Sequence, residues 1–301
     1  MSLLKQNPGF LLGVAAAILV ILLPTPDGLS PEAHKTAALF LLMGVWWATE
    51  AVPVAVTALV PLALFPMLGI VDIQSAANPY ANKTIYLFFG GFLIATAIQK
   101  WDLHKRIALF VLEYAGSNGA SLIFGFMLTA AVISMWVMNT ATTIMLLPIG
   151  LAVITVVKET VKGLNEQEIE SFQLALLLGI AYGATIGGMS TLIGTGPNGM
   201  LAAFMADNYN LDISFVDWMK VGVPLSIIML PCSWLILTKL IFKVEFQTSQ
   251  ETKDLLTNMK EELGRFDGAE FKVFIVFVLT ALSWMLRTVL DDIKGLEGLS
   301  D

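Results

Sequence analysis

The chain has 301 residues, 56% of them apolar and only 14% charged, with a mean hydropathy of +0.77. A soluble domain carries about 25% charged residues, so the charge present cannot coat two soluble domains of this length, and the chain reads as an all-α polytopic membrane protein. A net charge of −7 argues against nucleic acid as a partner, and the single cysteine, Cys232, excludes an internal disulfide or a cysteine metal cluster.

A hydrocarbon core about 30 Å thick needs roughly 20 apolar residues in a helix. The first apolar run, Phe10 to Leu23, is entered by Pro8-Gly9 and closed by Pro24. It could serve as the core of a signal peptide, but Pro24-Thr25-Pro26-Asp27 follows instead of a small-x-small cleavage site, so a retained helix is expected. Thr36 to Thr49 and Val52 to Ile70 are two further spans, with Trp46 and Trp47 suited to the membrane interface. Between the spans, His34 and His104 sit in polar connections far apart in sequence, which argues against a histidine metal or catalytic site. Thr84 to Gln99 is the fourth span.

The next two segments differ in kind. Ala120 to Val157 and Phe172 to Ala206 contain no Asp, Glu, Lys, Arg or His, and both carry Gly, Ser, Thr or Asn near their middles. Val221 to Phe242 and Phe271 to Leu290 are simpler spans. The charged stretch between them, Lys243 to Glu270, has apolar residues at helical spacing and reads as an amphipathic helix along the cytoplasmic membrane surface, with a partly disordered loop as the alternative.

Basic residues set the orientation. With a cytoplasmic N-terminus, and Ala120 to Val157 entering and leaving on one side, twelve of the 17 Lys and Arg fall inside, Lys5 among them, and five outside, Lys294 among them. A single crossing there would leave seven inside and ten outside. The positive-inside rule therefore favours a re-entrant hairpin.

Within a bilayer, irregular backbone is tolerated only where it is buried in protein or lines a cavity. The first such break is expected within Ser134 to Thr143, between two arms each too short to span, meeting at Asn139-Thr140. The second is Gly187 to Asn198, where Gly194 and Gly196 free the backbone and Pro197 suits a helix start. The helix from Phe172 should stop near Ile193 and restart near Pro197. Two interruptions at membrane depth point to a secondary transporter's binding site. Half-helix N-termini at Thr140 and at Pro197-Asn198 suit a carboxylate or other oxyanion, while exposed carbonyls and the Asn139 amide oxygen suit a hard cation such as sodium. Ser226, Ser233 and Thr280 read instead as packing residues. Gly-Thr-Gly-Pro-Asn lacks the Gly-Lys-Thr/Ser ending of a phosphate loop. Neither segment holds a charge for a proton relay or voltage sensor.

At these residues the sequence resembles the divalent anion/sodium symporter family, which carries dicarboxylates, citrate or sulfate. The family marks its hairpin tips with Ser-Asn-Thr, and Met138-Asn139-Thr140 stands in that place. Thr185 to Asn198 looks like the family's broken fifth helix. The resemblance implies a first sodium at Ser134, Asn139, Gly194 and the backbone around Met138, with Asn139, Thr140, Thr195 and Pro197 facing the substrate. Met138 replaces the first serine of the tip motif and removes one hydroxyl.

The family has two inverted repeats, each with a hairpin and a broken helix. About seven spans, the first repeat and the start of the second are expected here, with the chain ending at Gly298-Leu299-Ser300-Asp301, so a fragment of a longer transporter or a truncated gene product is expected. The implied organisation is a dimerising scaffold over residues 1–116 and a transport part over 117–242, comprising a hairpin at 117–157, a broken helix at 171–206 and a helix at 219–242. An amphipathic linker at 243–270 and a seventh helix at 271–301 follow. The leading reading is a sodium-coupled carrier of dicarboxylate or tricarboxylate anions in the plasma (inner) membrane, a homodimer and not an enzyme. The alternatives are an exchanger or carrier of another oxyanion such as sulfate, and a non-transporting membrane scaffold.

Overall fold

The computed structural model describes residues 8–116, 118–291 and 293. Lys5, Lys294 and the terminal Gly298 to Asp301 lie outside them. Among the described residues all regular elements are helical, apart from an isolated bridge between Asn118 and Gln247. The chain packs as two units that meet in sequence at Asn82 and Lys83.

In the first unit, helix α1 (Pro8–Leu22) packs on α2 (Pro31–Ala48), which Ser30 caps by accepting from the Ala33 amide at 3.1 Å. Gly13 leaves room for Trp46, whose indole stacks on Phe10 at 4.9 Å and donates to the Phe10 carbonyl at 3.2 Å. Trp46 is thus a packing residue within this helix pair. His34 is buried, and its Nε2 donates to the Val20 carbonyl in the last turn of α1 at 2.7 Å. It satisfies a helix end instead of lying in a solvated connection.

The expected span Val52 to Ile70 is divided into α3 (Val54–Thr57) and α4 (Val60–Met67). Pro61 has no N–H to donate, and Pro66 lies inside α4. Tyr80 reaches back from beyond α5 (Ile73–Ala77) to donate its hydroxyl to the Ala58 carbonyl at 2.7 Å.

The second unit contains α6 (Lys83–Lys100), α7 (Leu103–Glu113), α8 (Gly119–Ser134), α9 (Asn139–Thr160), α10 (Glu166–Gly188) and α11 (Gly196–Tyr209). There follow α12 (Phe215–Leu235), continued by a π-helix over Ile236–Ile241, then α13 (Gln250–Glu262), α14 (Gly268–Met285) and α15 (Arg287–Asp291). Ile73–Lys100, Asn139–Thr160, Glu166–Gly188, Phe215–Ile241 and Gly268–Met285 are long and apolar enough to cross a membrane. Helix α10 starts six residues before its apolar run, at a capping box. Asn165 accepts from the Glu168 amide at 2.9 Å, and Glu168 accepts from the Asn165 amide at 2.8 Å.

Helices α8 and α9 form an antiparallel pair. Ser134 and Asn139 meet at one end, and at the other both chains reach one stretch of backbone. There the Gly119 amide donates to the Phe246 carbonyl at 2.9 Å, and the Thr160 hydroxyl lies 2.6 Å from that of Ser249. The arms are unequal. Helix α8 has 16 residues, but α9 has 22, about 33 Å, and is long enough to span, so the expectation of two short arms fails for the second.

Helix α10 runs parallel to α8 along a glycine stripe. Gly179 faces Ile123 and Met127, Gly183 faces the Met127 backbone, and Gly187 faces the Ala131 backbone. A Cβ at Gly183 would fall 2.5 Å from the Met127 carbonyl oxygen, so the backbones approach as closely as small residues permit. Phe126, Phe172, Leu146, Leu176 and Ile180 fill the core around them.

The segment 243–270 holds a helix, α13, whose apolar residues turn to protein. Leu256 is buried, and Leu255, Met259 and Leu263 pack on the same core, against α7 and α9. Its position beside protein follows from that burial.

Candidate functional site

The first helix break lies between Ser134 and Asn139. Helix α8 closes with the Met135 amide donating to the Ala131 carbonyl at 3.1 Å, and extended Met138 (φ −51°, ψ 141°) turns the chain into α9. Ser134 Oγ lies 2.8 Å from Asn139 Oδ1 and 3.3 Å from the Val137 carbonyl, to which Thr142 also donates at 3.4 Å. One hydroxyl proton cannot serve both of its acceptors at once, so this tip is rich in oxygen and short of donors.

The second break runs over residues 189–195. Helix α10 stops at Gly188, five residues before the expected Ile193, and α11 starts at Gly196 behind extended Thr195 (φ −148°, ψ 145°). Pro197 stands in the first turn.

These two breaks touch. A Cβ on Gly194 would meet the Gly188 carbonyl oxygen at 2.5 Å and the Ser134 carbonyl oxygen at 2.9 Å, and a Cβ on Gly188 would run into Asn139 Oδ1. Backbone oxygens leave room only for glycine at 194, and a side chain at 188 would displace the Asn139 amide. Ser134 O, Asn139 Oδ1 and Gly188 O therefore gather about the same two α-carbons, and no charged side chain occurs in 134–139 or 188–198.

The residues expected from sequence separate by depth. Ser134 and Gly194 are buried, Asn139 and Thr195 are half-buried, and Met138, Thr140 and Pro197 are exposed. Ser134, Asn139 and Gly194 are brought together. Thr140, Thr195 and Pro197 stand at the first turns of α9 and α11, and among the described residues the Thr140 and Thr195 hydroxyls have no hydrogen-bond partner. The Met138 side chain points outward, leaving its backbone as the helix-start group.

Thr191, Ser190 and Trp218 were not visible from sequence, and Asn198 and Ser226, which were, take partners that the sequence did not indicate. Thr191, fully buried, donates to the Met135 carbonyl and accepts from the Gly194 amide at 3.1 Å. Asn198 turns inward, donating Nδ2 to the Gly188 and Thr191 carbonyls at 2.9 and 2.7 Å. From α12, Trp218 donates to the Met189 carbonyl at 2.9 Å and Ser226 to the Ile186 carbonyl at 2.7 Å, while Ser190 bonds the Ser226 hydroxyl at 2.8 Å. Ser226 therefore packs by satisfying one carbonyl of α10. Their signal in sequence is weak, since an isolated hydroxyl or amide in an apolar run is equally consistent with bonding inside its own helix, as Thr280 does to the Val276 carbonyl at 2.9 Å.

No group of three or more His, Cys, Asp or Glu able to hold a metal occurs among the described residues. A cation at the breaks would meet neutral oxygens alone. Such a donor set suits a hard, singly charged ion.

The family model for the sodium:sulfate symporter transmembrane region matches residues 4–295. The chain is also similar to a sodium-dependent dicarboxylate transporter of Staphylococcus saprophyticus, 38% identical over 286 residues, which are 95% of this chain and 55% of that protein. Transporters of the same name from two strains of Staphylococcus aureus are 35% identical over the same lengths and shares. The chain spans about half the length of the curated relatives it matches.

Proposed function

This integral membrane chain belongs to the sodium:sulfate symporter transmembrane family, and from that premise we propose that it contributes a sodium and anion site to a secondary transporter of dicarboxylates. The observation that carries the reading is the meeting of the two helix breaks, where Ser134 O, Asn139 Oδ1 and Gly188 O crowd around Gly188 and Gly194 with no charge among them. Ser134, Asn139, the backbone at Met138 and Gly194 would hold sodium, supplying neutral oxygens in place of water. Thr140, Thr195 and Pro197, with the Asn139 amide, would face a carboxylate from the first turns of two helices, where free N–H groups and the dipole favour an anion.

In this reading α8 and α9 form a re-entrant hairpin opening to the cytoplasm, the N-terminus is cytoplasmic, and the plasma membrane is crossed about seven times. The scaffold-like helices support a homodimer, and the hairpin, the broken helix and α12 form the transporting part. The chain supplies one hairpin and one broken helix, and a second such set would complete the substrate site. The names of the relatives favour a dicarboxylate over a tricarboxylate, and the family description keeps sulfate as a competitor.

The test is binding of radioactive sodium to the purified chain in detergent, with potassium and choline as controls, followed by succinate uptake into liposomes. Saturable, sodium-selective binding is expected. Uptake is expected only when the second half is supplied, and sodium-driven uptake by residues 1–301 alone would overturn the half-site part of the reading. A chain that binds no sodium would sink the site itself.

A further inference from the structure

Thr191 lies in the middle of the second break, fully buried between Leu192 and Ile193 on one side and Ser190 on the other. Its hydroxyl reaches out of its own segment. Oγ1 donates to the carbonyl of Met135, the residue that closes α8, and accepts from the amide of Gly194 at 3.1 Å. Among the described residues no other side-chain hydrogen bond joins the first break to the second.

The two partners are placed where spacing matters most. Met135 follows Ser134, whose carbonyl oxygen sits against Gly194, and its own carbonyl belongs to the helix end that lacks intrahelical donors. Gly194 is the residue whose α-carbon stands between the Ser134 and Gly188 carbonyls. The Thr191 carbonyl is fixed independently, since Asn198 Nδ2 holds it at 2.7 Å and the Gly188 carbonyl at 2.9 Å. The segment is therefore tied to α11 by its backbone and to α8 by its side chain.

We infer that Thr191 is a positioning residue, whose hydroxyl holds the two helix breaks in register and so sets the spacing of the oxygens offered to a cation. With its proton on Met135 O, one lone pair on the Gly194 amide and no exposure, the hydroxyl acts through its neighbours. Removing it leaves a partly buried acceptor on one break and a buried donor on the other, and both would move to find partners. The apolar side chains of Leu192 and Ile193 can replace neither bond.

The inference rests on the proposed cation site, and its test separates the two. Radioactive sodium binding is titrated on the purified chain, its Thr191→Val variant, which keeps the branched shape without the hydroxyl, and its Thr191→Ser variant, which keeps the hydroxyl. Valine should weaken sodium binding about tenfold or more at an unchanged number of sites per folded chain, and serine should stay within about threefold of the parent. A purely structural role would lower the number of sites and leave the affinity alone. If the parent binds no sodium, the proposed function fails. If the parent binds and valine binds as tightly, or serine binds as weakly as valine, only the role of Thr191 is overturned. Where valine does not fold, Thr191→Ala is read by the same measure, and hydrogen exchange in the parent gives a check that needs no variant. The Gly194 amide should be protected, and exchange at the rate of an unprotected amide would overturn the inference.

Discussion

At the two helix breaks, carbonyls released from helical bonding are met by neutral donors: Asn198 on Gly188 and Thr191, Trp218 on Met189, Ser226 on Ile186 and Thr191 on Met135. At the end of α13 the same kind of carbonyl is met by a charge. Arg106 on α7 donates to the Leu263 and Gly264 carbonyls at 3.3 Å, makes a two-pronged pair with Glu270 at 2.7 and 2.8 Å, and lies over the Phe266 ring. Lys260 reaches Glu113 at 2.6 Å beside it. Glu270 raises the Arg106 pKa still further above its ordinary value. At the linker end, the freed carbonyls and Glu270 are met by one resident guanidinium. The breaks gather neutral oxygens with no charged side chain in 134–139 or 188–198, as the proposed sodium site requires.

Asn139→Ala should break that contrast most severely. It removes the amide oxygen that Ser134 and Gly188 crowd, leaving a cation at depth one ligand short where water cannot fully replace it. Sodium binding to the chain is expected to be lost nearly completely, and unchanged titrations would show that Asn139 does not hold sodium.

Thr140→Val and Thr195→Val divide the site by ligand. Each keeps the branched shape and removes an unpartnered hydroxyl at a helix start, costing about 1 to 3 kcal/mol if that hydroxyl pairs with a buried carboxylate. In the transport-competent protein, roughly ten- to hundred-fold weaker succinate binding is expected, with sodium binding measured without succinate little changed. Loss of sodium binding instead would reverse the assignment.

Arg106→Met tests the charged side of the comparison. The pair is mostly covered but lies at the edge of the fold, so a loss of about 1 to 2 kcal/mol is expected after allowing for solvent screening. The effect should be local. Hydrogen exchange over 250–268 should accelerate while sodium affinity at the breaks stays at the parental value, and a parallel fall in sodium affinity would mean the two regions are coupled.

The smallest effect concerns pH. With no titratable side chain at the breaks, sodium affinity should be flat between about pH 6 and 8. His104 on α7 behaves differently. Burial lowers its pKa, outweighing the raising effect of its hydrogen bond to the Ile98 carbonyl. The unfolded chain then binds a proton before the folded one does. Stability from the neutral ring is present above the unfolded value of about 6.5 and is lost as pH falls toward the folded one. His104→Gln should flatten the acid side of a thermal-stability profile by a small amount, and an unchanged profile would remove His104 as its cause.

Both breaks were legible in the sequence because they are made by local chemistry. Glycine, proline and clustered hydroxyls within uncharged apolar runs interrupt a helix whatever surrounds it, and Asn139, Gly194 and Pro197 stand where that chemistry put them. The partners were less legible. His34 and His104 lie in stretches that read as polar connections, yet each is buried against a carbonyl of a neighbouring helix end. The apolar face of α13 is equally suited to lipid and to protein. Ser226 reads from sequence as a packing residue, and only the packed structure names its acceptor, the Ile186 carbonyl.

By itself, the sequence determined that the chain is helical and membrane-embedded, where its long helices fail, and that the failing stretches carry no charge, since each of these follows from residues adjacent in the chain. Tertiary structure decided that the two failures meet, through Gly188 and Gly194 pressing on Asn139 and Ser134. It also decided that Thr191 and Asn198 hold them there, and that α10 lies close enough to α8 for only glycine to fit at 183 and 187. The contacts that join the breaks, and α10 to α8, link residues about 50 to 60 positions apart, and a buried polar group takes whichever partner the packed backbone brings within reach.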